Sequence, residues 1–525
     1  MVETVLKVSR RFSFCIITVF MLCVSNLSAL TFHRETGIAG FSSQRRDVFS
    51  ELIHADVIVP DNFTTIQWAI NSASEGDTIY VRNGTYYEGI VVNKSVSLIG
   101  EDKTATILDG NKTVRVVFVT ASNVRISGFT IRNSANRDSG VQVEHSNGTN
   151  ISDNIVLNDY YGVYFLYSNN SIISGNFVLN SSHHALRLFR SNNNTLTNND
   201  IHMLTRYKSG IYLIESFNNT LVNTKVANSG YGVYLQDSDR NTLLNNSASH
   251  NNNGIYLESS DSNRLVGNNV SFNSDYGVYL DLSGKNLLLN NVLSHNQYNF
   301  YARGISFSSL NNTIDTSNTV DGKPIIYLAN KANATYDTQT NAGIIYLINC
   351  NNITLRGLTL TKNGYGIFLW NTTNSKITKS TIAKNMKGIY LYNSANNTIF
   401  HDNFIANVKQ AEVVVSNLTF WDNGVEGNYW SDYNGTDDNH DGVGDTPYII
   451  DANNQDNYPL MRPYMNGDCN RDGIVDVFDA DIMRLTWMCI EGEVNYNPNA
   501  DFNMDGIVSI KDATTIGLNW QRIWE

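Results

Sequence analysis

Twelve residues, Asp468-Cys469-Asn470-Arg471-Asp472-Gly473-Ile474-Val475-Asp476-Val477-Phe478-Asp479, place oxygen-bearing side chains at positions one, three, five, nine and twelve. Calcium takes about six to eight hard oxygen ligands, and a twelve-residue loop supplies them at this spacing. Asp468, Asn470 and Asp472 offer side-chain oxygens, Gly473 allows the sharp turn, Ile474 offers its carbonyl, Asp476 stands at nine and Asp479 closes the loop. A second run matches it position by position with Asp501, Asn503, Asp505, Gly506, Ile507, Ser509 (through a water) and Asp512. One such run can arise by chance; two with the same ligands, starting 33 residues apart, predict two bound Ca2+ ions. A third, weaker run has Asp437, Asn439 and Asp441 before Gly442, and Asp445 at position nine. Its twelfth residue is Tyr448, so the closing carboxylate is missing.

The loops need elements to hold them. A helical stretch is expected after each full loop, over 480–489 and 513–521, and no convincing helix precedes either one. Both loops close on Asp rather than Glu. This duplicated loop–helix unit over residues 467–525 resembles a dockerin. The resemblance implies a cohesin-bearing partner, recognised through loop positions ten and eleven, here Val477, Phe478, Ile510 and Lys511. Dockerins often carry small hydroxylated residues at these positions, so the departure leaves the identity of the cohesin open.

Upstream, one phrase repeats. Gly162-Val163-Tyr164-Phe165, Gly210-Ile211-Tyr212-Leu213, Gly232-Val233-Tyr234-Leu235, Gly254-Ile255-Tyr256-Leu257 and Gly277-Val278-Tyr279-Leu280 are copies of one strand. Gly140 and Ala185 open degenerate copies, and Gly366 and Gly388 two more. From Gly140 to Gly277 the spacings are 22, 23, 25, 22, 22 and 23 residues, the mark of a stacked repeat. Apolar and tyrosine residues alternate with strand period two, and asparagine-rich turns separate the strands. An all-β, right-handed parallel β-helix is therefore predicted over 56–425, with rungs of about 22 residues, ahead of the small α-helical module. Asparagine suits its corners because it tolerates left-handed backbone angles and its amides can bond along a stack.

The alternation sends Tyr164, Arg187, Tyr212, Tyr234, Tyr256 and Tyr279 outward in one column, which Phe368 and Tyr390 extend. Such a ladder stabilises a solenoid by stacking. The alternative is a row of sugar-binding faces at Tyr164, Tyr212, Tyr234, Tyr256 and Tyr279. The rung opened by Ala185 departs most from the repeat: His183, His184, Arg187 and Arg190 are followed by His202, Arg206, Tyr207 and Lys208. His184, Arg187, Arg206 and Lys208 are weak catalytic candidates, and a solvated basic patch is the plainer alternative. Paired aspartates on neighbouring rungs, the signature of glycoside hydrolysis, do not recur.

An amphipathic helix within 62–75 is expected to cap the solenoid, an opening that resembles secreted proteins of the pectate-lyase-like superfamily. The Gly-Ile-Tyr-Leu rungs, together with Asp321-Gly322-Lys323-Pro324 in an interruption at about 300–350, resemble the NosD-type β-helix family over 56–460. That resemblance implies copper, but copper(I) wants clustered Cys, Met or His, and His202 with Met203 is the nearest approach. Residues 426–462 form an acidic closing segment.

The 525-residue chain is 42% hydrophobic and 16% charged, so it is long and ordered rather than disordered. A net charge of −12 argues against a nucleic-acid partner and suits cation binding. Lys7, Arg10 and Arg11 precede an apolar run over 12–24 and a small-residue stretch ending at Ala29, which is a secretory signal (1–29). The run is too short to span a bilayer, and a leader over 30–55 follows. Cys469 and Cys489 could pair in an oxidising compartment. The sequence thus predicts a secreted, modular surface protein that binds a carbohydrate or other surface polymer and attaches to a cohesin through calcium. Two alternatives stay open: a polysaccharide lyase, hydrolase or epimerase, and a metal-handling accessory protein.

Overall fold

A computed structural model describes residues 57–523 apart from 205, 417, 418, 498 and 504. The expected signal and leader lie outside the described residues. Helix α1 (Ile66–Ser72) is capped by Thr65, whose hydroxyl accepts the Trp68 N–H, and it buries Ile66, Ala69 and Ile70 against the first coil. It covers strand edges that would otherwise be open. Before it, strand Ile58–Val59, which the sequence did not reveal, pairs with Thr78–Val81.

Each coil up to residue 320 then adds one short strand to each of three sheets, of 12, 10 and 16 strands; later coils extend only the 16-stranded sheet and form two four-stranded sheets of their own. The tyrosine strands Tyr231–Gln236, Asn253–Glu258 and Tyr276–Asp281 stack in parallel register, so Val233, Ile255 and Val278 form one inward column and Leu235, Leu257 and Leu280 another. All six are buried.

The corners divide two jobs between adjacent residues. Asn245, Gly267 and Asn290 take the left-handed backbone, with φ of +54°, +66° and +55°. The following residues, Asn246, Asn268 and Asn291, are buried and form a ladder. The backbone N–H and side-chain Nδ2 of Asn246 both donate to Asn268 Oδ1 (3.0 and 3.1 Å), and Asn268 does the same to Asn291 (3.0 and 2.9 Å). Asn268 Nδ2 also donates to the Leu243 carbonyl at 3.0 Å. Each amide thus satisfies backbone groups that the turn leaves without a strand partner.

The stretch expected as an interruption is where the strands reverse. Asp321 and Gly322 are both left-handed (φ +46° and +79°), which makes the two-residue hairpin turn that Asp-Gly favours. Lys323–Ala329 pairs antiparallel with Thr319–Val320, and Ile344–Ile348 follows in parallel. These two strands are already coils of a second segment, with Tyr327, Tyr346 and Phe368 in register. Neither has the Gly-apolar-Tyr phrase: four residues separate Gly322 from Tyr327 and two separate Gly343 from Tyr346, so the second segment starts inside the expected interruption.

Parallel crossovers keep a right hand almost without exception. With the strands reversed, the coil interior must move to the opposite face of the shared 16-stranded sheet. Ile345, Leu347, Ile367 and Leu369 accordingly join a separate core with Phe404 and Trp430, while Ile344, Tyr346, Ile348 and Phe368 on the other face pack on the first core. Phe368, expected to face outward in continuation of the ladder, is therefore only 2% exposed, held between the segments.

Carboxylates occupy two ladder positions. Asp402 Oδ1 accepts the Ser380 N–H at 2.7 Å, its own N–H donates to Asn428 Oδ1 at 3.1 Å, and its Oδ2 is buried without a partner. Burial pushes this carboxyl well above its ordinary value of 3.8, and the Ser380 bonds only partly offset that. A raised acid leaves stability intact below its ordinary value and loses it as pH rises. Asp402→Asn should therefore melt higher than the parent at pH 7, the added amide bond alone giving about 1 kcal/mol. The gap should narrow to the amide bond's share as melting curves are taken toward pH 3. Asn268→Ala strips partners from three buried groups and should cost about 1–3 kcal/mol in denaturant titration.

Candidate metal centre

The two full loops fold alike. In the first, Asp468 Oδ2 accepts the Gly473 N–H (3.0 Å), Asn470 Oδ1 the Asp472 N–H (3.1 Å) and Asp472 Oδ1 the Ile474 N–H (2.9 Å). In the second, Asp501 Oδ2 accepts the Gly506 N–H (2.9 Å), Asn503 the Asp505 N–H (2.8 Å) and Asp505 the Ile507 N–H (3.2 Å). Gly473 and Gly506 sit at φ +85° and +82°, a region that penalises any Cβ. The weaker run has the same skeleton: Asp437 accepts the Gly442 N–H at 3.0 Å, with Gly442 at φ +85°.

Helices α3 (Val477–Leu485) and α4 (Ile510–Asn519) begin inside the loops, three residues before the sequence placed them. A short helix, α2 (Phe307–Leu310), lies earlier, at the end of the first solenoid segment. The reason for the early start is a capping box at each loop end. Asp476 caps α3 while Asp479 reaches back to its N–H (2.8 Å), and Ser509 and Asp512 do the same for α4 (2.9 Å). Val477, Phe478, Ile510 and Lys511 therefore form the first helical turns, and all four are exposed.

The oxygens fit a hard cation. Asp501, Asp505 and Asp512 bring one carboxylate oxygen each within 4.8 Å of the others. Asp468 is 2% exposed and its Oδ1 has no hydrogen-bond partner, while burial pushes its carboxyl up to about 6. Lys511 Nζ lies 2.9 Å from Asp505, where a cation would displace it.

This module is docked on the solenoid, a fact that loop spacing alone did not signal. Arg471, at position four of the first loop, is buried and donates to both oxygens of Glu426 (3.2 and 2.8 Å). Glu426 also meets His401 Nε2 at 2.6 Å and accepts from Asn499 Nδ2 at 2.9 Å. The Tyr464 ring lies under the Arg471 guanidinium (4.7 Å) and stacks on His401 (4.5 Å). Lys379 Nζ donates to the Phe502 carbonyl at 2.6 Å. Burial takes His401 down to about 4, so it stays neutral and donates to Glu426. Burial alone would raise Glu426, but the His401 bond and the Arg471 charge hold it well below the usual carboxylate range.

The other sequence candidates have structural employment. Tyr212, Tyr234, Tyr256 and Tyr279 stack face to face at 4.7–5.0 Å, so their faces cover one another instead of lying open to a sugar. The hydroxyls are also engaged, Tyr234 with Glu258 and Tyr256 with Asp281 (3.4 Å). Arg187 fills the gap in the column, its guanidinium 4.9 Å from the Tyr164 ring and 5.9 Å from Tyr212. His184 packs at a tilt against Tyr212 at 4.8 Å, accepts the Ser209 N–H, and is pushed down to about 2 by burial. Lys208 lies in an exposed turn, and the carbonyl of Arg206 accepts from Asn252 Nδ2. Cys350, Cys469 and Cys489 are all free thiols, so the pairing left open at Cys469 and Cys489 is not formed.

Stacked parallel strands with asparagine corners and a capped first coil define a parallel β-solenoid. The chain belongs to the NosD family: the model described as "Periplasmic copper-binding protein (NosD)" matches residues 70–226, 203–327 and 301–435. A cell surface glycoprotein of Methanothermus fervidus is 35% identical over 108 residues, 19% of this chain and 18% of that protein. A probable ABC transporter binding protein NosD of Stutzerimonas stutzeri is 42% identical over 67 residues, 12% and 15% respectively. The chain thus spans less than a fifth of the length of these relatives. Among solved structures, the A-module of mannuronan C-5 epimerase AlgE6 from Azotobacter vinelandii is similar, with a TM-score of 0.40 and 13% identity over 67% of this chain and 94% of that one.

The family description names copper, and the residues do not fit it. The one converging group of three or more His, Cys, Asp or Glu among the described residues is all carboxylate. Met203 is buried in the solenoid core, while His202 points to Asp200 at 2.9 Å. Among the described residues no helix is long and apolar enough to cross a membrane.

Removing Glu426 strands a buried guanidinium, a change that costs about 3–5 kcal/mol. Glu426→Ala should release the C-terminal module, read as faster proteolytic cutting near residues 461–467 while fragments of the solenoid stay intact.

Proposed function

We propose that this chain is an envelope or cell-surface protein whose solenoid binds a glycan or another surface polymer and whose C-terminal module is a calcium-loaded, dockerin-type attachment device. One observation carries the attachment reading: two loops with the same internal hydrogen bonds each end in a helix that exposes positions ten and eleven. Val477, Phe478 and Ile510 are 54%, 62% and 69% exposed. A groove of about 370 Å³ between α3 and α4, lined by Ala480, Met483, Trp487, Ala513 and Ile516, continues that apolar face. Apolar side chains clustered beside polar loops suit a protein partner of the cohesin type. The names of the two relatives, a cell surface glycoprotein and a NosD protein, support a location outside the cytoplasm.

Asp468, Asn470, Asp472, Asp476 and Asp479 would hold the first ion, and Asp501, Asn503, Asp505, Ser509 and Asp512 the second, with the carbonyls of Ile474 and Ile507. The ions would neutralise carboxylates crowded into each loop, so the module's small core gains stability on binding. The third loop, with Asp437, Asn439, Asp441 and Asp445, is a further calcium candidate on the same skeleton.

Titration calorimetry tests this. Wild type should take up two ions more than Asp468→Ala with Asp501→Ala. Capture by a cohesin should need calcium and should fall at least about tenfold for Phe478→Ala with Ile510→Ala, as for loss of interface anchors. Equal calcium uptake by wild type and double variant overturns the reading.

A further inference from the structure

The reversal of the solenoid creates a cleft of about 580 Å³ between its two segments. One wall is the corner carrying Ser274, His295, Gln297 and Tyr298; the other carries Lys362 and Lys384, on consecutive coils. At its base the backbone joins the walls: the Asn299 N–H donates to the Lys362 carbonyl (2.6 Å) and the Gly364 N–H to the Phe300 carbonyl (3.0 Å). Tyr276 and Met386 meet across the segments at 2.8 Å. The walls are therefore fixed, and the cleft is a formed feature of the fold.

Its charge is opposite to that of the whole chain. Lys362 and Lys384 are exposed, and neither has an acidic partner among the described residues. The nearby acids are already committed. Glu412 pairs with Lys387 and Lys409. Asp321 accepts from the His295 N–H (2.9 Å) and Asn299 Nδ2 (2.8 Å). Asp275, beside Ser274, is half-buried, and burial pushes its carboxyl up, toward the neutral form. Two lysines without acidic partners, on consecutive coils whose backbones lie about one strand spacing (~4.8 Å) apart, thus face amide, imidazole and phenol groups that hydrogen-bond hydroxyls and carboxylates.

We propose that this cleft binds an acidic polysaccharide, with Lys362 and Lys384 holding carboxylates on successive sugars and Gln297, Ser274 and Tyr298 contacting hydroxyls and ring faces. The proposal rests on the glycan-binding reading of the solenoid and moves the site from the stacked tyrosines to the segment junction. A charge-bearing polymer explains why basic residues line a cleft in a chain of net charge −12.

The probe is a defined oligogalacturonate and its methyl ester, titrated into the full chain by calorimetry at one fixed free-calcium level. Wild type should bind the acid and not the ester, with affinity falling as salt rises. Lys362→Gln with Lys384→Gln should weaken binding at least tenfold at an unchanged melting temperature, and Lys285→Gln, on a distant corner, should not. Equal binding of acid and ester, or equal binding by the double variant, overturns the site while leaving a glycan-binding solenoid standing. Equally tight binding of polyphosphate overturns the sugar assignment. No binding of either oligosaccharide by wild type overturns both the site and the glycan reading, and leaves the calcium-dependent attachment untouched.

Discussion

The asparagine ladder is the interaction the molecule depends on. A solenoid of short strands has a corner every few residues, and each corner directs backbone N–H and carbonyl groups into a dry interior. A buried polar group without a partner costs about 1–3 kcal/mol, and with this many corners no hydrophobic core could compensate. Asn246, Asn268 and Asn291 solve this by presenting an acceptor to the coil below and donors to the coil above and to a carbonyl behind. The apolar columns then only need to fill space. The same logic makes Asp402 and Asp159 conspicuous. A carboxylate in this column must keep its proton or lose the donor that the stack requires, and Asp159 Oδ2, like Asp402 Oδ2, has no partner.

Much of this was legible in the sequence because a repeat averages over its own errors. Gly232-Val233-Tyr234-Leu235 would be ambiguous alone; five copies with strand alternation are not. The N-terminal helix and the loop–helix pairs were legible for a related reason, since caps and ligand positions are strictly spaced. The helix starts were misplaced by three residues because Asp479 and Asp512 act both as closing residues of a loop and as third residues of a helix, and ligand spacing shows only the first role.

The features hidden from the sequence are those made by pairs of distant residues. Asp321-Gly322 was visible as a motif. That it reverses the strands and moves the core to the other face follows only once Val320 and Lys323 are known to pair. The tyrosines were correctly read as a ladder. That the ring faces cover one another is a geometric point that alternation does not encode, since rings about 4.8 Å apart along a sheet stack on each other. The Arg471–Glu426–His401 contact joins positions up to 70 residues apart by subtraction, and no local pattern announces it.

That contact also sets how load passes through the molecule. A flexible tether would let the solenoid swivel against the C-terminal module and dissipate any pull as rotation. Here the first loop is pinned by a buried ion pair whose charges have few waters to retreat to, and a second anchor, Lys379 on the Phe502 carbonyl, prevents pivoting about the first. The solenoid then behaves as a lever clamped at one end. Drag on its far coils arrives as torque at Glu426, beside the residues that shape the first loop.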